Sequence, residues 1–205
     1  VAAMGATATC AVAVYAAEEL DETELGDFVQ GARDVCEAVS AEYVGGDLDT
    51  HREFTTASTA IGRTDDPVLR SGARPGDLLC VTGELGRSAA AVRLFDAGET
   101  DRANDLFQFT PRVAAGVRLR DSATAMMDSS DGVARSLYQL SEASGCGFEF
   151  EWDALPVHEA VERVASDDAD RRTLSTYFGE DFELVFTTPA EELDAVRDDV
   201  DVPIT

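Results

Sequence analysis

The chain contains no lysine; all 16 of its cationic residues are arginine. Without a lysine amine it has no Walker A phosphate loop, no protein-kinase-type ATP lysine and no Schiff-base chemistry. Histidine is scarce, with only His51 and His158, both in polar surroundings and neither assigned a catalytic role. The four cysteines, Cys10, Cys36, Cys80 and Cys146, lie far apart with no C-x-x-C spacing. That pattern argues against zinc or redox chemistry and for free thiols in a reducing compartment. No apolar run approaches the roughly 20 residues of a membrane helix, and no signal-peptide pattern opens the sequence. The expectation is a soluble cytoplasmic protein.

Positive charge is outnumbered throughout, with 41 Asp and Glu and a formal net charge of -25. A surface of that sign repels phosphate backbones, so nucleic acid is excluded as a partner. What is present is a foldable chain: 205 residues, 44% of them hydrophobic, suit one domain or two small ones with a real core. Extreme acidity without lysine points to a high-salt cytoplasm, where a screening length of about 3 Å near 1 M salt makes self-repulsion tolerable. A merely acidic mesophilic protein is the alternative.

Thr7 to Tyr15 has the small and β-branched composition of a strand. Asp21, with Glu24 three residues on, opens a helix in the manner of a capping box. Leu25, Phe28, Val29, Ala32, Val35, Cys36 and Val39 then give it one apolar face. Tyr43-Val44 enters a Gly45-Gly46-Asp47 turn, and Phe54 to Ile61 is the next strand. Asp65-Asp66-Pro67 and Ser71 to Asp77 punctuate the chain, so residues 1–73 and 74–205 are expected to form two lobes. Beyond the break, Leu78 to Thr82 and Ala125 to Met127 read as strands, each leading into a helix. Phe148 to Trp152 alternates like a strand, and Phe182 to Thr187 is strongly apolar. Strands and helices alternate throughout, which gives an α/β (α+β) class. The opening Val1 to Ala6 reads as the tail of a helix and the closing Val202 to Thr205 as an unfinished strand, so truncation at both ends is expected.

Three glycine-and-acid clusters carry the chemistry. Gly46 and Asp47 follow the pattern in which glycine lets a backbone approach a ligand and a carboxylate holds a metal on its phosphates. An ordinary acidic turn would look the same. Asp128 and Asp131, with Ser129-Ser130 between and Gly132 after, fall where a strand stops and a helix starts, a usual ligand position in α/β architecture. Two hard oxygen ligands in one turn suit Mg²⁺, although Asp131 could equally cap the helix. Glu180-Asp181 sits at another strand end. Gly83-x-x-Gly86-x-Ser88 lacks the spacing of a phosphate loop and reads as a tight strand-to-helix turn. A chain this acidic repels ATP unless a cation neutralises the phosphates, so the spacing supports an Mg-phosphate site of unknown substrate.

Taken in order, five segments resemble the thiamine-monophosphate kinase family of the aminoimidazole ribonucleotide synthetase superfamily. They are Val1 to Ala6, Val44 to Asp47, Arg70 to Asp77 with Leu78 to Gly83, Asp128 to Gly132, and Gly179-Glu180-Asp181-Phe182-Glu183-Leu184. The last string favours this family over its superfamily relatives. The resemblance implies a two-lobed fold with an N-terminal dimerising sheet lobe and a C-terminal α/β lobe. It also implies in-line transfer of phosphate from ATP to thiamine monophosphate with several Mg²⁺ ions. By that match Asp47, Asp128 and Asp131 hold Mg²⁺, Gly46, Asp47, Arg70 and Ser130 contact the nucleotide, and Glu180 contacts the thiamine-side substrate. The family's N-terminal acidic segment, the Asp before Val1 and the C-terminal pocket residues are not in this sequence, so the chain alone is expected to be inactive. Two other readings stand beside it: a superfamily enzyme acting on another acceptor, and a non-catalytic module that dimerises or binds Mg-nucleotide.

Overall fold

The computed structural model describes residues 1–205. A 3-10 turn at Ala2–Met4 closes on Gly5 in the left-handed region and delivers the chain into β1 (Thr7–Ala17). The first long helix, α1 (Glu22–Ala38), begins where the sequence puts its cap. Asp21 accepts from the N–H groups of Thr23 and Glu24 at 2.8 and 3.0 Å, satisfying two donors that the first turn leaves free. β2 (Glu42–Thr50) and β3 (Thr55–Arg63) complete a sheet in the order β2-β1-β3, with β2 parallel and β3 antiparallel to β1. Tyr15 is buried at its centre, its ring 5.2 Å from Phe28 of α1 and 5.3 Å from Phe54.

One expectation fails here. Gly45-Gly46-Asp47 is not a turn but lies inside β2, with Gly46 opposite Ala13 and Asp47 opposite Val14. A Cβ on Gly46 would stand 1.6 Å from the Ala13 carbonyl oxygen. The glycine permits two strands to approach; it does not reverse the chain.

The second unit is built on β4 (Leu78–Val81), α2 (Arg87–Asp96), α3 (Thr100–Phe107), α4 (Val113–Leu119), β5 (Ala125–Asp128) and α5 (Val133–Ser144). It continues through α6 (Glu159–Val164), α7 (Asp168–Thr176), β6 (Leu184–Thr188) and α8 (Leu193–Asp199). Its sheet has the order β4-β6-β5, and β6 runs antiparallel to both neighbours. Central position explains the composition of β6, whose five residues are all buried. Leu184 and Phe186 face one core with Cys80, Leu119, Met126 and Val196, while Val185 faces another with Val81, Leu85, Met127 and Leu140. Ala2 and Ala3 pack against the first of these cores, tying the start of the chain to the second sheet.

Phe148 to Trp152 is not a strand. Despite its alternation it finds no ladder, and the chain turns through a 3-10 segment at Trp152–Ala154. Backbone hydrogen bonds between Val81 and Thr205, at 2.9 and 3.1 Å, engage the outer side of β4 instead. Phe148 and Phe150 face β4 across a cavity of about 540 Å³.

Candidate active site

The apolar strand β5 ends at Asp128, and the chain must turn before α5. It does so over Ser129 to Gly132, with the Gly132 N–H donating to the Ser129 carbonyl at 3.0 Å. A second loop, Gly179 to Glu183, leads into β6 and lies directly on the first. The Glu180 N–H donates to the Ser130 carbonyl at 2.8 Å, and Ser129 N–H to the Glu183 carbonyl at 2.8 Å. In return the Glu183 N–H donates to Ser129 Oγ at 3.1 Å. Contact is so close that a Cβ on Gly179 would meet the Ser130 carbonyl oxygen at 2.3 Å. Glu180 and Phe182 both adopt positive φ, 57° and 54°, an uncommon conformation for side-chain-bearing residues that the paired loops hold in place.

Side chains along these loops divide by direction. Asp131 and Glu180 are exposed, Asp128 and Ser130 half-buried, and Ser129, Asp181 and Glu183 buried. The outward group is the one the sequence singled out. Capping does not account for Asp131: Gly132 is the cap residue of α5, and no side chain hydrogen-bonds to the helix's first turn. Glu180 and Asp131 thus share a rim with Asp128 and Ser130.

Inward, Asp181 receives the N–H groups of Gly86 and Ser88 at 2.6 and 2.9 Å, and Ser88 Oγ donates to the Glu180 carbonyl at 2.6 Å. Burial pushes the Asp181 carboxyl above the ordinary aspartate range, against the pull of the Ser88 and Gly86 N–H groups and of Arg87. Glu183 takes both arms of the Arg112 guanidinium, at 2.7 and 2.6 Å, and the Thr82 hydroxyl at 2.7 Å. That hydrogen-bonded carboxylate raises the pKa of Arg112, while burial lowers that of Arg87. The Arg87 guanidinium lies over the Phe109 ring at 4.7 Å, and Phe109 stacks on Phe182 at 5.4 Å.

The remaining expected residues lie elsewhere. Asp47 is exposed on β2, its carboxylate accepting from the Leu48 N–H at 3.0 Å. With Gly46 it borders a cleft under Leu25, Phe28 and Arg33 of α1. Arg70, exposed on the loop before β4, donates to Gln139 of α5 at 3.0 Å. No three or more His, Cys, Asp or Glu side chains gather closely enough to hold a metal. Sequence reasoning did not identify Arg112, Thr82 or Arg87. Their partners are 71, 101 and 94 positions away, and only the placement of Thr82-Gly83 at a strand end hinted at a role.

Residues 1–64 match the model of AIR synthase related protein, N-terminal domain, and residues 74–202 that of the C-terminal domain. A thiamine-monophosphate kinase of Halobacterium salinarum is 61% identical over 197 residues, 96% of this chain and 67% of that protein. Its counterpart from Methanospirillum hungatei is 40% identical over 198 residues, 94% of this chain and 65% of the relative. Among solved structures, the thiamine-monophosphate kinase of Stenotrophomonas maltophilia superposes with a TM-score of 0.91 at 28% identity, covering 100% of this chain and 69% of that one. A structure described as AaThiL complexed with AMPPCP and TMP gives a TM-score of 0.84 at 28% identity, over 93% of this chain and 65% of that one. The chain therefore spans about two thirds of the length of the relatives it matches.

Proposed function

The chain belongs to the AIR synthase related family, among the thiamine-monophosphate kinases, and on that premise we propose that the full-length protein phosphorylates thiamine monophosphate with ATP. The product is thiamine diphosphate, formed by in-line transfer. One observation supports this reading most: the loop carrying Asp128, Ser130 and Asp131 is zipped to the loop carrying Glu180, so phosphate-side and acceptor-side groups share one rim.

The donor set fits Mg²⁺ in kind. Asp128 and Asp131 present hard carboxylate oxygens, and no side-chain hydrogen bond or ion pair within the chain engages them. With no cluster of three acids, water and phosphate oxygens would complete the coordination. In this reading Asp128 and Asp131 would hold Mg²⁺ at the shared rim and Asp47 would hold Mg²⁺ from the first sheet, and the bound cations would neutralise phosphate charge. Gly46 and Ser130 approach the nucleotide, Arg70 grips its phosphates by a bidentate guanidinium, and Glu180 meets the thiamine portion.

The two lobes divide near residue 73. Val14 and Ile61 are exposed on the face of the first sheet turned away from α1 and offer it an apolar surface for a second copy of the chain. Net charge of -25 without lysine fits a cytoplasm at high salt. No helix is long and apolar enough to cross a membrane.

An assay of the full-length protein with ATP, Mg²⁺ and thiamine monophosphate tests the activity. Thiamine diphosphate should accumulate, and transfer only to another phosphorylated acceptor would refute it. Light scattering and melting in graded KCl test the other two points: a strict monomer, or a midpoint that does not rise toward molar salt, would count against them.

A further inference from the structure

We propose that Arg112 and Glu183 are positioning residues for phosphoryl transfer, acting on Asp128 and Asp131 through Ser129. The inference rests on the kinase reading and adds residues that touch neither phosphate nor metal.

Three other segments meet at Glu183, whose side chain is 4% exposed, two at its carboxylate and one at its main chain. Arg112 comes from the residue preceding α4, Thr82 from the end of β4, and Ser129 from the end of β5. Both carboxylate oxygens are engaged, Oε1 by one arm of Arg112 and Oε2 by the other arm and by Thr82 Oγ1. The same Thr82 hydroxyl accepts the Leu184 N–H at 2.9 Å, fixing the first residue of β6. Glu183 thus has neither a free side chain nor a free main chain, because its N–H and carbonyl are both bonded to Ser129.

Ser129 is 0% exposed and lies between Asp128 and the Ser130-Asp131 pair. Any shift of Glu183 along β6 therefore moves the turn that separates the two outward carboxylates. A buried ion pair is a poor source of net stability, since desolvation offsets much of its attraction. What the Arg112 fork supplies is direction: two parallel hydrogen bonds hold a carboxylate in one plane, which a lysine amine does not. Phosphoryl transfer depends on such placement, and an error of about 1 Å can cost about a hundredfold in rate.

The test uses the full-length protein, with Arg112→Lys and Thr82→Val. Three readouts are needed: melting temperature, Mn²⁺ affinity in the presence of AMPPCP by electron paramagnetic resonance, and kcat with KM for each substrate. Arg112→Lys should weaken Mn²⁺ binding and lower kcat by about tenfold or more, with KM for thiamine monophosphate little changed. Thr82→Val should shift both in the same direction by less. Variants that melt lower yet bind Mn²⁺ and turn over as the wild type does would make the pair a stability element and overturn the proposal. Should Arg112→Lys fail to fold, Thr82→Val decides, because it removes a single hydroxyl at nearly constant shape. A wild type that is inert toward thiamine monophosphate would refute the kinase reading, while the Mn²⁺ affinities would still decide the positioning role.

Discussion

Asp181 caps a helix whose Ser88 lies 93 positions earlier in the chain, accepting from Gly86 N–H at 2.6 Å and Ser88 N–H at 2.9 Å. Neither α2 nor its preceding loop supplies a side chain for this purpose. The carboxylate is therefore both the helix cap and the anchor of the loop that carries Glu180.

Asp181→Ala should destabilise the protein by about 2–3 kcal/mol, because two buried N–H groups lose their only acceptor. Urea denaturation measures it. A loss below about 0.5 kcal/mol would mean that water replaces the carboxylate without penalty.

Gly46→Ala should cost more than about 3 kcal/mol with no nucleotide present, since its Cβ would collide with backbone and not with a mobile side chain. Gly26, inside α1 with nothing within 4 Å of its Cβ position, provides the contrast. Gly26→Ala should stabilise by about 0.5–1 kcal/mol. Equal effects at the two sites would contradict the register of β2 on β1.

Asp131→Asn should leave the melting temperature unchanged, since Asp131 is exposed and caps nothing. Turnover of the full-length protein should fall at least about tenfold and recover in part at raised Mg²⁺ if the carboxylate holds the cation. Normal turnover at ordinary Mg²⁺ would remove Asp131 from the site.

The thiols should separate into two classes. Burial pushes Cys80 from 9.0 to about 11, and burial also raises Cys36, whereas Cys10 and Cys146 are half-buried. At pH 8 a thiol reagent should modify Cys10 and Cys146 first, with Cys80 reacting only on denaturation. Because native Cys80 keeps its proton where the unfolded thiol has lost it, its contribution to stability is full below pH 9.0 and is lost as pH rises toward about 11. Equal labelling of all four in the folded protein would contradict the packing of β4.

The outward half of the candidate site was legible in sequence because it is local. A carboxylate at each end of Asp128 to Asp131 and the run Gly179 to Leu184 both sit where an apolar strand meets punctuation, and such boundaries show in a short window. Gly45-Gly46 misled for a related reason. Paired glycines usually mark a reversal, and only the neighbouring β1 backbone reveals that they serve a close approach. Alternation at Phe148 to Trp152 likewise describes a strand without saying whether an edge is free to receive it. The inward half, Asp181 to α2 and Glu183 to Arg112, joins residues some 70 to 95 positions apart, beyond the reach of any local pattern.

The central place of β6 has a consequence for exchange with solvent. Val185 pairs with Val81 on one side and Met127 on the other, and no residue of the strand is open to water. Its amide hydrogens can exchange with deuterium only when the whole sheet opens. The Ser129 and Glu183 amides, bonded to each other's residue at the strand ends, belong to the same protected unit. The floor of the site is thus no lid. It is a surface as slow to open as the core itself.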